Sequence, residues 1–320
     1  MAQGQCTDRE AAQQPGSWHA KNRFGDELAN ADRTFPKNQY ALLLNKADKV
    51  IAMLKALPTP IGAEAQPIHS ISGTPYVKDG PVPFGVDVPI FNYYCNPNSR
   101  SIHVGDETGT WIYFYFNSVG WLANERMVRG HTVNGAKIYQ MPQQKGDLRG
   151  FALLSPELNV GNPDEAIIIT ADGSSPFKPL SREKFLLSEQ KKYQDELDKL
   201  LKMSPPPAFG VAQRQSELAA ISNLLNSLSP EEKQQQAIVN YRYGFTWGNP
   251  RSKVFVTEAQ GGEPLVTLEA APFKPAASRT AVKIITVYWR VSKSTDAESA
   301  AIRQFKENFD FQALRKMLDQ

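Results

Sequence analysis

The sequence predicts an α+β protein in which β-rich N-terminal and C-terminal parts, with mostly antiparallel sheet, are joined by a helical segment. Residues 64–171 and 253–291 contain short apolar and aromatic runs separated by Gly and Pro, which is typical of strands. Between them, residues 181–240 repeat apolar side chains at helical spacing. The Gly261-Gly262 pair favours a hairpin, and a hairpin pairs its strands antiparallel.

The length of 320 residues allows about two domains at roughly 150 residues each. The net charge is only +3, with Lys and Arg spread along the chain, so the overall charge makes no case for nucleic acid or an anionic membrane as a partner. No run of apolar residues is long enough for a transmembrane helix. The predicted segments are an irregular N-terminal arm over 1–36, a helix plus β-rich domain over 37–180, the helical segment over 181–240, and strands followed by two helices over 241–320.

The first regular element is a helix. Residues 1–36 are polar and interrupted by Pro15-Gly16, with Trp18 and Phe24 as expected anchors onto the body. Apolar residues then recur at helical spacing from Asn38 to Leu57, and Pro58 ends the pattern.

The strongest strand signal lies at Thr110–Phe116, where aromatic and apolar residues occupy both alternating positions. Such a run predicts a central strand buried on both faces. Further strands are predicted at Ala136–Met141 and Ala166–Thr170, and Asp172-Gly173 predicts a turn after the latter.

The middle segment predicts three helices. Ser181 is the expected N-cap of a helix from Arg182 to about Met203, which ends at Pro205-Pro206-Pro207. A second helix follows from about Ala212 to Leu228. Ser229-Pro230-Glu231-Glu232 matches a capping box and starts a third helix that ends near Asn240. The apolar stripes of these helices fit packing on one another, with docking of a partner helix as the alternative.

The C-terminal part predicts three strands and then two helices. The strands lie near Lys253–Glu258, Pro264–Glu269 and Val282–Val291. The helices span about Ala297–Asn308 and Phe311–Leu318, the second capped by Asp310.

The two cysteines, Cys6 and Cys95, are far apart in the sequence, and both occupy positions typical of loops or strand ends. We predict a disulfide between them, and the alternative is two unpaired thiols. A catalytic cysteine has no recognisable histidine partner in the sequence. The start Met1–Cys6 is polar and has no apolar h-region, which taken literally indicates a cytosolic protein. The 23 prolines, the aromatic content of 10% and the two distant cysteines favour another interpretation, in which Met1 is an added initiator before a mature chain whose signal peptide was removed.

Four segments of the second half, in their order along the chain, carry a resemblance. They are Pro179–Leu186, Glu263–Thr267, Ile284–Trp289 and Asn308–Leu314. Together they resemble a group of uncharacterised secreted bacterial proteins, over about residues 165–320. The resemblance implies an extracytoplasmic, periplasmic or secreted, location. It implies no activity and no catalytic residue.

The sequence contains few candidate catalytic residues. His103, Asp106 and Glu107 form the densest group of titratable residues and are the first suspects for catalysis or for an oxygen and nitrogen metal site. A solvated turn is the alternative reading of the same residues, and we predict no metal. Asp164 and Glu165 are expected at the surface. Ser-x-x-Lys occurs as Ser181 to Lys184, where a helix cap explains the serine better than a nucleophile does. No cofactor motif is present, so no cofactor is expected.

Aromatic residues provide the remaining indication of a site. Trp111, Tyr113 and Trp121 lie in or beside the predicted central strand, and Trp247 lies in a second aromatic turn. Aromatic side chains supply large contact areas in ligand grooves, and their alternative role is in the core. The sequence therefore leads to a non-enzymatic extracytoplasmic binding or structural protein, with a polymer, peptide or protein as its possible ligand. The alternative is a hydrolase acting on a cell-envelope polymer or peptide.

Overall fold

A computed structural model describes residues 6–18, 37–70, 76, 79–122, 132–133, 136–156, 164–240, 246–249, 251–269, 273, 278–292 and 295–319. Its helices are α1 (Asp8–Ala11), α2 (Lys37–Lys55), α3 (Arg182–Leu201), α4 (Ala208–Ser227), α5 (Pro230–Gln234), α6 (Asp296–Asn308) and α7 (Phe311–Arg315). Its strands are β1 (Ala63–Ala65), β2 (Ile68–Ser70), β3 (Phe84–Asn96), β4 (Ser101–Val104), β5 (Trp111–Phe116), β6 (Thr132–Val133), β7 (Ala136–Gln140), β8 (Gln143–Leu148), β9 (Phe151–Ser155), β10 (Glu165–Ile169), β11 (Phe177–Pro179), β12 (Ile238–Val239), β13 (Glu263–Leu268) and β14 (Ile285–Arg290). The predicted α+β class is confirmed.

The chain divides into two compact units, and each is assembled from separate stretches of sequence. Unit 1 comprises Met1–Leu122, Pro142–Ser175 and Ala270–Gln320, and unit 2 comprises Ala123–Met141 and Pro176–Glu269. The consecutive segments 37–180, 181–240 and 241–320 divide the chain differently. The predicted helical segment lies entirely in unit 2, while strands from both β-rich parts contribute to unit 1.

Unit 1 is built on one sheet with the strand order β1-β3-β5-β14-β10-β9-β8, to which β2 and β4 add by pairing with β3. Each of these pairings is antiparallel. Strand β5 lies between β3 and β14, so the prediction of a central strand is confirmed. The pairing of β5 with β14 joins the two β-rich parts of the sequence in one sheet.

One face of this sheet carries the main hydrophobic core. Ile112, Phe114 and Phe116 of β5 are buried against side chains from α2, α6 and α7. The Phe114 ring centroid lies 5.9 Å from that of Phe305 and 5.3 Å from that of Phe309. The prediction of a buried strand is confirmed for the face that carries Ile112, Phe114 and Phe116, whereas the alternating side chains Trp111, Tyr113 and Tyr115 on the other face are only partly buried. Alternation in an antiparallel strand sends successive side chains to opposite faces.

Unit 2 combines a second antiparallel sheet with a pair of helices. Its strand order is β11-β13-β7-β6, and β12 also pairs with β13. Helices α3 and α4 pack together beside α5. Phe185 and Leu186 of α3, Ile221 of α4 and Leu265 of β13 are completely buried in its core.

The starts of the first and third helices predicted in unit 2 are confirmed, whereas the second helix begins at Ala208 and not near Ala212. The Ser181 side chain accepts a hydrogen bond from the Lys184 backbone N–H at the start of α3. Ser229 and Glu232 form the expected capping box at the start of α5, with Pro230 at the first helical position. Both caps are local arrangements, which explains why the sequence alone predicts them.

Three further predictions in unit 2 are wrong: one helix end, one strand and one hairpin. The third helix ends at Gln234 and not near Asn240, because Ile238 and Val239 pair with β13. The predicted strand Lys253–Glu258 is reduced to one bridge between Val239 and Phe255, followed by a short 3₁₀ turn. Gly261, at φ 81°, ends that turn and does not connect two strands of a hairpin.

The N-terminal arm is tied to unit 1 by the predicted disulfide between Cys6 and Cys95, whose Cα atoms are 5.7 Å apart. It is not wholly irregular, because Thr7 and Glu10 form a capping box around α1. The Trp18 side chain is buried, and its Nε1–H donates to the Pro58 carbonyl at 2.7 Å. Phe24, the second predicted anchor, lies outside the described residues.

None of the helices in the described parts of the chain has the length and apolar character that crossing a membrane requires.

Candidate functional site

Three aromatic side chains form a ladder on the face of the unit 1 sheet that lies opposite the core. Trp111, Tyr113 and Tyr115 occupy alternate positions of β5, so they project from the same face. The ring centroids of Trp111 and Tyr113 are 5.5 Å apart and those of Tyr113 and Tyr115 are 5.5 Å apart, with interplanar angles of 8° and 9°. Because the rings stack on one another, they offer their edges and hydroxyl groups to the surroundings.

The strands beside β5 place charged residues next to this ladder. Tyr113 lies opposite Asp87 of β3 and Tyr288 of β14, and Trp111 lies opposite Arg290 of β14. Residues directly opposite in an antiparallel pair share a face of the sheet. We call this surface the aromatic face and define it as Asp87, Trp111, Tyr113, Tyr115, Asp164, Tyr288 and Arg290.

A buried carboxylate organises one side of the aromatic face. Asp164, directly before β10, is 2% exposed. Its Oδ2 accepts a hydrogen bond from the Tyr288 hydroxyl at 2.7 Å and one from Arg290 Nε at 3.3 Å. Arg290 Nη2 also donates to the Tyr288 hydroxyl at 3.3 Å. The surface position expected for Asp164 is therefore wrong, and its carboxylate holds the Arg290 guanidinium in place.

The tyrosines of the aromatic face remain protonated at neutral pH. Burial, followed by the negative charge of Asp87, raises the pKa of Tyr113 and of Tyr115 above the ordinary value of 10.0. Burial, followed by the hydrogen bond to Asp164, raises the pKa of Tyr288 in the same direction. A general base needs a pKa near the working pH, so these groups are suited to hydrogen bonding and not to proton abstraction.

The two ends of the ladder differ in access. At one end the backbone of Gly120 lies against the Tyr115 ring: a Cβ on Gly120 would lie 2.1 Å from Cε2 of that ring. Gly120 also has φ 51°, a conformation that glycine adopts at little cost. At the other end Trp111 is half-buried and the Arg290 side chain is 32% exposed. A ligand can therefore reach the aromatic face at Trp111 and Arg290.

The sequence-based catalytic suspects lie elsewhere, on the β3–β4 hairpin and the loop after it. His103 is exposed on β4, and Asp106 and Glu107 are exposed in the following loop. His103 Nε2 contacts the hydroxyls of Ser99 at 2.8 Å and Ser101 at 3.0 Å, and neither Asp106 nor Glu107 takes part in those hydrogen bonds. Within the described ranges no three His, Cys, Asp or Glu side chains are grouped as a metal ion would require.

The other aromatic candidates from the sequence, Trp247 and Trp121, are not part of the described aromatic face. Trp247 is 8% exposed in the unit 2 core, and its Nε1–H donates to the buried carboxylate of Glu189 at 3.3 Å. A side chain in this position contributes to packing and offers little area to a ligand. The Trp121 side chain lies outside the described part of the structure.

Unit 1 also contains a cavity of about 510 Å³ lined by Leu148, Arg149, Arg303, Lys306 and Glu307. Two of the cationic side chains that line the cavity already have hydrogen-bond or ion-pair partners. Arg149 Nη1 donates to the Phe309 carbonyl at 2.7 Å, and Lys306 Nζ lies 2.7 Å from the Glu165 carboxylate. None of the described lining residues of the cavity is aromatic, whereas the aromatic face has three stacked rings to offer to a ligand.

Sequence reasoning identified Trp111 and Tyr113 but missed most of their neighbours. Tyr115 continues the same alternation, and the motif Thr286-x-Tyr288-x-Arg290 shows the matching alternation on β14. These two alternating patterns were the sequence signals from which Tyr115, Tyr288 and Arg290 could have been predicted as site residues. That β14 lies beside β5 depends on strand pairing over a long sequence separation, which no local pattern reveals.

The fold and this face define the class of protein as a disulfide-bonded α+β protein with two antiparallel sheets and an aromatic, charged surface on one of them. No family model matches the chain, and comparison with curated proteins and with solved structures found no significant match.

Proposed function

We propose that this chain is an extracytoplasmic binding protein, and not an enzyme, whose ligand contacts the aromatic face at Trp111, Tyr113 and Arg290. The observation that carries the proposal is the stacked ladder of β5 with the Asp164-anchored Arg290 beside its accessible end. Rigid aromatic side chains beside a fixed charge are typical of recognition sites, since little conformational entropy is lost when they bind.

The chemistry of the face favours a polar polymer segment, such as a glycan or a peptide. The protonated hydroxyl of Tyr113 donates and accepts hydrogen bonds, and the Arg290 guanidinium has N–H groups beyond those directed at Asp164 and at the Tyr288 hydroxyl. A purely apolar ligand would leave these groups without hydrogen bonds when it displaced water from them, at a cost in affinity.

The binding proposal is tested by calorimetric titration of the full chain with soluble glycan oligomers and, separately, with short peptides. Saturable binding of one class is expected, and Trp111→Ala should weaken it by about tenfold or more, as truncating a central aromatic contact does. Tyr113→Phe, which removes only a hydroxyl, should have a smaller effect.

Trp247→Phe is the matched control, because Trp247 is an aromatic residue in the core of unit 2. It should leave the affinity unchanged. The proposal is rejected if neither class binds, or if binding is the same in the wild type and in Trp111→Ala.

The extracytoplasmic location is supported by the disulfide, since such bonds persist in oxidising compartments. Fractionation of cells that make the full precursor, with mass spectrometry of the mature N-terminus, tests it. A processed chain outside the cytoplasm is expected, and an unprocessed, reduced chain in the cytosol would contradict the location.

A hydrolase is the second candidate, and the contact of His103 with the Ser99 and Ser101 hydroxyls favours it. A serine nucleophile needs a histidine base within hydrogen-bond reach, and that condition is met here. All three side chains are exposed, in contrast to a water-excluding active site. Labelling by a fluorophosphonate probe that disappears in His103→Ala would favour the hydrolase over the binding protein.

A further inference from the structure

The closed end of the α3–α4 helical hairpin exposes three large apolar side chains within nine residues. Leu201 is 50% exposed, Met203 is 55% exposed and Phe209 is 83% exposed. We call these three residues the apolar tip. Other large apolar residues with high exposure in the described chain, Leu42, Ile61 and Leu187, lie on separate elements or several turns away. Single exposed apolar residues are ordinary, whereas a cluster of them marks an interaction surface.

The hairpin does not need the apolar tip for its own packing. Leu200 faces inward: a Cβ on Gly210 would lie 3.4 Å from Leu200 Cδ1, so the two helices meet closely there. Just behind the tip, Arg214 lies 5.0 Å above the Tyr193 ring and forms an ion pair with Glu196 at 2.8 Å and another with Glu217. The contacts of Arg214 with Tyr193 and Glu196 join α4 to α3, and the apolar tip lies beyond them at the turn end of the hairpin.

Two lysines, Lys199 and Lys202, flank the apolar tip, and residues 199–213 contain no Asp or Glu. The nearest carboxylate along the chain is that of Asp198, which is exposed and accepts a hydrogen bond from the Gln194 side chain. Both lysines are exposed. The combination of projecting apolar side chains with flanking cations matches the interface of an anionic bilayer, where apolar groups enter between the lipids and ammonium groups lie at the phosphates.

The backbone of the turn also suits this environment. Pro205, Pro206 and Pro207 have no backbone N–H, so three positions of the turn bring no donor that would lose its hydrogen bond to water. Moving an unpaired N–H out of water is costly, and proline avoids that cost.

We propose that the apolar tip inserts into the interface of an anionic lipid bilayer, with Lys199 and Lys202 at the headgroups. This is a peripheral contact by one end of a hairpin, and it is independent of the ligand proposed for the aromatic face.

Co-sedimentation of the full chain with vesicles tests the proposal. The vesicles are an equal mixture of phosphatidylglycerol and phosphatidylcholine, compared with phosphatidylcholine alone. Binding to the anionic vesicles is expected, and it should weaken as salt is added. Phe209→Ser should weaken it by roughly tenfold or more. Lys202→Gln should weaken it by about fivefold, the effect of one basic residue at such a surface.

Leu187→Ser is the matched control, because Leu187 is 47% exposed on the same helix but lies outside the tip. It should bind vesicles like the wild type. Circular dichroism should show each variant folded, since the substituted side chains are exposed.

Three results would overturn the proposal. The first is no binding to anionic vesicles, and the second is an equal loss of binding in Leu187→Ser and Phe209→Ser. The third is a concentration-dependent dimer in sedimentation velocity that Phe209→Ser abolishes without any vesicle binding, which would assign the tip to a second copy of the chain.

Discussion

Asn117, at the end of β5, shows how one polar side chain can connect three segments of unit 1. Its Nδ2 donates to the Val82 carbonyl at 3.0 Å and to the Ala281 carbonyl at 2.8 Å, and its Oδ1 accepts from the Lys283 backbone N–H at 2.8 Å. The residue is buried and has φ 56°, a conformation that asparagine tolerates better than most residues.

Asn117→Ala should therefore lower the free energy of unfolding by about 3 kcal/mol or more, since three hydrogen bonds of about 1 kcal/mol each are lost and their buried partners are left unmatched. Urea unfolding measures the change. Asn308→Ala is the control, because the Asn308 side chain makes one exposed bond to the Gln304 carbonyl, and its cost should be well below that of Asn117→Ala. Equal costs for the two variants would contradict this role of Asn117.

Tyr93 links stability to alkaline pH. Burial, followed by the charge of Glu64, to which the Tyr93 hydroxyl donates at 3.0 Å, raises the pKa of Tyr93 from 10.0 to about 12. A group whose pKa is raised on folding stabilises the protein fully below its unfolded pKa, and this contribution is lost as the pH rises through the folded value.

The stability contributed by Tyr93 should consequently fall between pH 10 and pH 12. Tyr93→Phe cannot ionise, so its free energy of unfolding should fall less steeply over the same pH range. Urea unfolding at a series of pH values measures the two slopes. Identical slopes for the wild type and Tyr93→Phe would show that the raised pKa of Tyr93 has no part in the alkaline loss.

At the scale of elements, the hydrogen bond at the start of α3 gives Ser181 a structural role as a helix cap. Ser181→Ala should cost about 1 kcal/mol of unfolding free energy, because the N–H of Lys184 loses its acceptor. Ser181→Asp should retain most of the stability, since aspartate caps as well as serine does. A variant Ser181→Ala as stable as the wild type would argue against the cap.

Helix starts and strand alternation are the parts of the fold that the sequence predicts well. The Ser181 and Ser229 caps depend on residues three positions apart, and the alternation of β5 depends on neighbours two positions apart. The predicted end of the third helix failed because Ile238 and Val239 pair with a strand more than twenty residues later in the chain, from Glu263. Distant pairing overrides local helical preference.

At the scale of the whole molecule, the disulfide closes a covalent loop, with a separation of 89 residues between Cys6 and Cys95. Removing it with Cys6→Ser and Cys95→Ser together should lower the free energy of unfolding by up to about 4–5 kcal/mol, because the unfolded chain regains the entropy of the open loop. The fold should persist. The arm still donates from Gly16 N to the Pro60 carbonyl at 2.9 Å and accepts at Ser17 from Ala65 N at 2.8 Å.

Urea unfolding and circular dichroism of the double variant test both statements. Intact-mass measurement of the native protein after alkylation without reductant provides an independent check. Modification of both cysteines under those conditions would contradict the bridge.

The sequence by itself determined the α+β class, the helix caps at Ser181 and Ser229 and the alternation of the aromatic strand, because local spacing specifies each of them. The count of two cysteines left one possible pairing, and the tertiary structure decided that Cys6 and Cys95 are bonded. Only the tertiary structure decided that β5 and β14 are neighbours and that Asp164 is buried beside Arg290. It also decided that the apolar tip projects from its hairpin. These features depend on which distant segments pack against one another. Such packing is determined by the free energy of the whole folded chain, so no short stretch of sequence specifies it.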